Sequence, residues 1–81
     1  MNVFTTEDLE YIGLRRVWHK EANTPLFKGM INDEQIEVYI KGKGKLELKK
    51  GTSDVVLYTG VTRENLIELT GFKEPHASED N

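Results

Sequence analysis

The sequence predicts a small α+β domain in which a short N-terminal helix and a C-terminal helix cover one face of an antiparallel β-meander of three to five strands. Three observations predict this fold class. Apolar and polar residues alternate through the middle of the chain, glycine-containing turns separate the alternating stretches, and a capped helical pattern stands near each end. A meander of this kind has one apolar face, and the apolar sides of two helices can cover it. The 81 residues suffice for one such domain.

The first predicted element is a helix over residues 4–14. Thr5 is placed to act as its N-cap, and Asp8 three residues later completes a capping box. Gly13 suits the left-handed position that commonly ends a helix. A single longer helix reaching Lys20 is the alternative.

Residues 14–20 decide between these two readings. In a continuous helix their apolar side chains would scatter around the whole circumference, without the stripe that a core-facing helix needs. The break at Gly13 is therefore favoured, and residues 14–20 are predicted to form a strand. Arg15, Arg16 and His19 place charge or polarity on both of its faces, which an edge position would tolerate.

The meander follows a turn at residues 23–25. Leu26–Ile31 is predicted to be a strand, and residues 36–41 give the clearest alternation in the chain. A hairpin turn at residues 42–44 leads to a return strand that alternates as well. The side chains predicted to face the core from this hairpin are Ile36, Val38, Ile40, Leu46 and Leu48.

Two further elements complete the predicted fold. Residues 55–58 are apolar on both faces, as expected of a central or doubly covered strand. Thr62 is then a second N-cap, and Gly71 ends the second helix as Gly13 ends the first. We assign residues 1–73 to one domain and residues 74–81 to a flexible acidic tail.

Composition limits the class of protein. The chain has no cysteine, which excludes disulfides and thiolate zinc sites. Small secreted domains usually depend on disulfides, so we expect a cytoplasmic protein. The N-terminal residues lack the basic and apolar regions of a signal peptide, and the longest apolar run is far shorter than the ~20 residues that span a bilayer. No membrane partner is expected.

The sequence shows no arrangement of residues typical of a catalytic or metal-binding site. The two histidines, His19 and His76, stand in polar segments without a predictable orienting partner, and no His-x3-His or calcium-loop spacing occurs. The Gly-Lys-Gly-Lys run at residues 42–45 lacks the spacing of a phosphate-binding loop and joins two strands. We therefore expect no enzyme activity, no metal site and no cofactor.

Lysines cluster in the central hairpin. Residues 41–50 carry a local charge of +4 in a chain whose net charge is −3. A lysine-bearing β-ribbon beside the aromatic Tyr39 is one way to contact a phosphate backbone, although lysines also keep strands soluble. The residues predicted to contact nucleic acid on this hypothesis are Lys41, Lys43, Lys45, Lys49 and Lys50.

A second candidate surface combines an aromatic with cationic residues. Trp18 stands beside Arg15 and Arg16, and Tyr39 lies in the predicted sheet; tryptophan, tyrosine and arginine are enriched in the residues that dominate protein interfaces. Trp18 could equally close the end of a small core. These four residues form the predicted protein interface.

The leading functional hypothesis is a non-enzymatic protein-binding module, such as a small inhibitor, adaptor or regulatory protein. Small acidic proteins of phages and mobile elements, including inhibitors of host nucleases and defence systems, have this size and composition. Nucleic-acid binding through the hairpin at residues 39–50 is the alternative, and homo-oligomerisation stays open.

Overall fold

The computed structural model describes residues 3–18 and 25–74. Their order is helix, five strands, helix, and the element bounds are α1 Thr6–Tyr11, β1 Arg15–Val17, β2 Leu26–Ile31, β3 Glu34–Gly42, β4 Lys45–Lys50, β5 Val56–Tyr58 and α2 Arg63–Thr70.

The strands form one antiparallel sheet in the order β1-β2-β3-β4-β5, so every strand pairs with its neighbour in sequence. The predicted fold class is confirmed, with the full five strands. Register follows from side-chain alternation, because a slip of one residue would move each strand's apolar set to the other face. Val38 is accordingly flanked by Phe27 on one side and Leu48 on the other.

Local capping fixes both ends of α1. The Thr5 hydroxyl accepts a hydrogen bond from the Asp8 N–H at 3.3 Å, and the Asp8 carboxylate accepts one from the Thr5 N–H at 2.9 Å. Gly13 then adopts the left-handed conformation, with φ = 100°. The Leu14 N–H reaches back to the Leu9 carbonyl at 3.0 Å, which satisfies a terminal carbonyl and turns the chain into β1. The alternative of one helix reaching Lys20 is thereby wrong.

Helix α2 uses the same device. Thr62 caps its N-terminus through a reciprocal pair of hydrogen bonds with Asn65, and Gly71 ends it in the left-handed conformation, with φ = 77°. Both N-caps and both terminal glycines predicted from the sequence are confirmed.

The core lies between the two helices and one face of the sheet. Leu9 from α1 and Leu66 from α2 are fully buried and belong to one cluster with the inward side chains of the central strands. The predicted inward positions are confirmed, since Ile36, Val38 and Leu46 are all 0% exposed and Leu48 is 4% exposed, while Ile40 packs against the cluster partly buried. The remaining members of the cluster are Phe4, Ile12, Leu14, Phe27, Ile31 and Val61.

Gly29 permits the close approach of the α1–β1 corner to β2. A Cβ atom at this position would lie 2.5 Å from the Gly13 carbonyl oxygen and 3.2 Å from the Leu14 Cα. Only glycine leaves room for this backbone contact in the middle of a strand. Gly29 thus sets how closely the first helix packs on the sheet.

The expectation for residues 55–58 was wrong. β5 is an edge strand of three residues, and the exposed fractions of Val55, Val56 and Leu57 are 48%, 46% and 56%. Two apolar faces are compatible with a buried central strand or with an edge that has no cover, and sequence pattern alone does not separate these cases.

Several predictions concern residues outside the described part of the chain. They include the turn at residues 23–24, the end of the strand predicted to reach Lys20, both histidines and the tail from residue 75 onward. Glu74, the first residue of the predicted tail, is described and contacts Arg63.

Candidate interaction surface

One face of the sheet has no helix on it among the described residues. We call it the open face; its members are the side chains that alternate with the core-facing ones. They are Arg15 and Val17 of β1, Leu26, Lys28 and Met30 of β2, Gln35, Glu37 and Tyr39 of β3, Lys45, Glu47 and Lys49 of β4, and Leu57 of β5.

Charged side chains form one row across the open face. The register places Arg15 opposite Lys28, Lys28 opposite Glu37, and Glu37 opposite Lys49. Glu37 forms an ion pair with Lys28, with Nζ and Oε2 3.9 Å apart. One carboxylate thus stands among three cationic side chains, and the row is positive overall.

A second row is mainly apolar. Val17, Leu26 and Tyr39 are adjacent across β1, β2 and β3, and the row continues through Glu47 to Leu57. Leu26 is only 4% exposed although it lies outside the main core cluster. This face therefore has a small apolar centre of its own.

A shallow depression of about 290 Å³ lies beside these rows, between β1, β2 and β3. Met30, which is 62% exposed, contributes to its wall. The wall is almost wholly apolar although Arg15 and Lys28 belong to it, which indicates that their aliphatic stems line the depression. The other lining residues are Val17, Gly29 and Gln35.

The structure only partly brings together the four residues of the predicted protein interface. Arg15 and Tyr39 both lie on the open face, but Arg16 is paired with the core-facing Phe27 and so points to the opposite side. Trp18 follows β1 at the edge of the sheet and is 88% exposed, which rules out a role in closing the core.

Met30, Val17 and Lys28 are surface residues that the sequence reasoning missed. For Met30 and Lys28 the signal was present in the alternation of β2, because Phe27 and Ile31 cannot share a face with them. For Val17 it was the alternation of β1 with Arg15.

The lysines of the central hairpin do not form one surface. Lys45 and Lys49 lie on the open face, whereas Lys50 is paired with Ile36 and points to the helix-covered side. Lys43 is in the turn, and Lys41 lies where the register shifts between Ile40 and Gly42.

The hairpin is also anchored to the rest of the domain. Gly44 at its tip is buried, its carbonyl accepts a hydrogen bond from the Val61 N–H at 2.9 Å, and a Cβ here would lie 3.3 Å from the Val3 side chain. β3 and β4 are interior strands of the sheet. Their lysines therefore neither protect an edge nor form a free arm.

The largest cluster of charged groups joins the two helices. Arg63 contacts the Asp8 carboxylate at 3.3 Å and the Glu74 carboxylate at 3.1 Å, and its guanidinium lies 5.0 Å from the centroid of the Tyr11 ring. The hydrogen bond to Glu74 raises the pKa of Arg63, with further contributions from the charges around it. Tyr11 in turn packs edge-to-face on Phe72. This cluster holds α1, α2 and the segment after α2 together and has the character of a structural clamp.

A second depression, of about 300 Å³, lies on the helix-covered side near β5. It is bordered by Glu34, Lys50, Asp54 and Tyr58. Among residues 3–18 and 25–74 no group of His, Asp and Glu side chains is arranged to hold a metal ion. Neither described helix has the length and apolar character needed to cross a membrane.

The fold and surface define a small α+β domain with a five-stranded antiparallel meander, one face of which carries no helix within residues 3–18 and 25–74. The chain matches no family model, and no curated protein or solved structure is significantly similar to it.

Proposed function

We propose that this chain is a non-enzymatic protein-binding module, a small inhibitor, adaptor or regulatory protein, that docks an acidic surface of its partner on the open face. The observation that carries the proposal is the apolar depression beside Met30, which the cationic residues Arg15 and Lys28 help to line. Apolar contacts framed by charged groups are the usual composition of a protein interface.

Exposure supports this surface at Met30 and the adjacent edge of the sheet at Trp18. Met30 and Trp18 are 62% and 88% exposed, the highest values among the large apolar side chains of the described residues. Methionine adapts to varied partner shapes, and tryptophan is the residue type most enriched among interface hot spots. Burying both in a complex would remove considerable apolar area from water.

Charge supports an acidic partner. Arg15, Lys28, Lys45 and Lys49 stand against two carboxylates on the open face, giving it a charge of +2 in a chain whose net charge is −3. The rest of the molecule is therefore strongly negative. Such a separation orients the protein as it approaches an acidic surface and repels wrong encounters through the other faces.

We extend the proposal to the compartment in which the protein acts and to its biological role. The absence of cysteine supports action in the cytoplasm. Small size and an acidic body are typical of inhibitors that phages and mobile elements direct against host nucleases or defence systems, and we include that role in the proposal.

The test is an affinity capture from the source organism with three baits: the wild type, Arg15→Glu and Lys73→Glu. Arg15→Glu reverses a charge on the open face, and Lys73→Glu is the matched reversal on an exposed residue after α2. We expect a stoichiometric protein on the wild type and on Lys73→Glu, and its loss from Arg15→Glu. No stoichiometric protein on any bait, or equal recovery on all three, contradicts the proposal.

The captured protein should then be titrated against the wild type while tryptophan emission is recorded. Trp18 is the single tryptophan and is exposed, so its burial on binding should shift the emission to shorter wavelength. A complex that forms without this shift would place the interface away from the β1 edge.

Nucleic-acid binding is the second candidate, favoured by the positive charge of the open face. Glu37 and Glu47 interrupt the lysines there, which weakens a continuous path for a phosphate backbone. The test is a low-salt titration with duplex and single-stranded DNA and RNA. Affinity that falls steeply with salt and is lost when Lys45 and Lys49 are replaced by Glu would support this function over the first; no binding at low salt removes it.

A further inference from the structure

We propose that two copies of this chain form a symmetric dimer by pairing their β5 strands, through Val56 and Leu57 and the preceding Val55, along the edge that has no neighbouring strand among the described residues. These three residues are the only consecutive exposed large apolar residues in the described part of the chain. The inference does not depend on the proposed function, which uses the open face near β1 and β2.

Hydrogen bonds in the sheet show which backbone groups of β5 point outward. Along an antiparallel strand, the N–H and C=O of successive residues point alternately to the two neighbouring strands. In β3 the Ile40 N–H donates to the Pro25 carbonyl on the β2 side at 3.1 Å, and the Gln35 carbonyl accepts from Gly51 on the β4 side at 2.7 Å. Odd-numbered residues of β3 therefore bond β4.

The same alternation of hydrogen-bonding direction continues through β4 to β5. Because odd-numbered residues of β3 pair with odd-numbered residues of β4, the even-numbered residues of β4 direct their polar groups to β5. Leu48 is paired with Val56, so Val56 bonds β4. The N–H and C=O of Leu57 then point away from β4, toward the outer edge of the sheet. Those of Val55 point the same way, because the direction alternates from residue to residue.

A second copy fits this edge with its chain reversed. With the two-fold axis at Val56, the outward groups of Leu57 face those of Val55 of the second copy, and the reverse, which gives four hydrogen bonds. Val56 lies opposite its own counterpart on one face, and the two Leu57 side chains are diagonal neighbours on the other, within reach of each other. The three residues that pair, Val55, Val56 and Leu57, carry no charge. In this register the next position places Asp54 opposite the uncharged Tyr58, so no two like charges are opposed.

The other edge explains why assembly stops at two copies. β1 carries Arg15 and Arg16, and pairing it with itself would bring like charges together. Charged edge residues of this kind are a common protection against strand addition, and β5 has none. A β5-to-β5 contact uses the same surface on both copies and leaves only the protected β1 edges, so it closes as a dimer.

The contact is short, so the dimer should be weak and depend on concentration. Sedimentation velocity over a roughly hundred-fold range of protein concentration, from micromolar toward millimolar, should show the wild type passing from monomer to dimer and no further. Leu57→Lys and Leu57→Glu should each lower the association constant at least about tenfold, which corresponds to ~1.4 kcal/mol. Both should keep the wild-type circular dichroism, because Leu57 is outside the core cluster.

The decisive sample is an equimolar mixture of Leu57→Lys and Leu57→Glu. If the two Leu57 positions are diagonal neighbours across the contact, opposite charges restore dimerisation in the mixture while each variant alone stays monomeric. Met30→Lys is the matched control, since Met30 is equally exposed on the same face but lies on the interior strand β2; it should dimerise like the wild type.

Other results overturn the proposal. A wild type that stays monomeric throughout, dimerisation of Leu57→Lys equal to the wild type, or a mixture that does not associate would each refute β5 self-pairing. Growth beyond the dimer would refute the closed arrangement.

Discussion

Replacing Gly29 by Ala should destabilise the protein, although the substitution adds a single methyl group. The added Cβ would lie 2.5 Å from the Gly13 carbonyl oxygen, 3.0 Å from the Leu14 Cδ2 and 3.2 Å from the Leu14 Cα. Two of these three atoms belong to the backbone, so the α1–β1 corner must move as a unit to accept the methyl group.

Two effects of opposite sign set the magnitude. Overpacking a core typically costs ~1–3 kcal/mol, and the backbone contacts place Gly29 in the upper part of that range. Alanine also lowers the conformational entropy of the unfolded chain, which stabilises the folded state by ~0.4–1 kcal/mol. The net expectation is a loss of ~2 kcal/mol, a large share of the ~5–15 kcal/mol of a typical domain.

Urea unfolding followed by circular dichroism measures this loss. With a slope of ~1–2 kcal/mol per molar urea for a small domain, the midpoint should fall by about 1–2 M. Met30→Ala, the neighbouring exposed position, is the control and should change stability by less than ~0.5 kcal/mol. If Gly29→Ala unfolds at or above the wild-type midpoint, the corner does not rest on β2 as described.

Three further predictions concern the core, the caps and the clamp. Leu48→Asp places a charge at a core position that is only 4% exposed, so its thermal melt should show no cooperative transition. The control Lys49→Ala should keep a stability within ~0.5 kcal/mol of the wild type, and a folded Leu48→Asp monomer would contradict the core assignment. Thr62→Ala removes the hydroxyl that accepts a hydrogen bond from the Asn65 N–H at 3.2 Å, and it should lower the free energy of unfolding in urea by ~1 kcal/mol. Thr52→Ala in an exposed turn is the control and should lower it little; equal losses would show that the Thr62 cap does not stabilise α2. Arg63→Met should lower the melting temperature more than Arg16→Met. Because a guanidinium keeps its charge at neutral and mildly alkaline pH, the difference should be the same at both; a difference that shrinks at alkaline pH, or no difference at all, would refute the clamp.

The elements that depend on local rules could be predicted from the sequence. The caps at Thr5 and Thr62 and the break at Gly13 involve contacts within a few residues, so composition and spacing carry the signal. The inward set of the central hairpin follows from a period of two over long strands.

Features that depend on distant contacts could not be predicted in this way. The edge position of β5 is a property of strand order, which residues 55–58 do not encode. The role of Gly29 depends on the approach of the α1–β1 corner, and adjacent residues such as Arg15 and Arg16 diverge because a strand turns successive side chains to opposite faces.

The interaction surface was predicted only in part, because some of its residues are brought together by the packing of neighbouring strands. Arg15, Trp18 and Tyr39 attract attention by residue type, whereas Met30 matters only because β2 lies beside β1 and opens a depression there. Residue type can suggest an interface, but the neighbours that complete it come from the sheet.

The sheet is built from strands adjacent in sequence, but its cover comes from the two ends of the described chain. Leu9 near the start and Leu66 near the end close over the same strands, and Val3 bridges to Thr62. During synthesis the hairpins can pair one after another. Their apolar face nevertheless stays partly exposed to water until α2 has been synthesised and can cover it. We therefore expect the last step of folding to be the docking of residues about sixty positions apart.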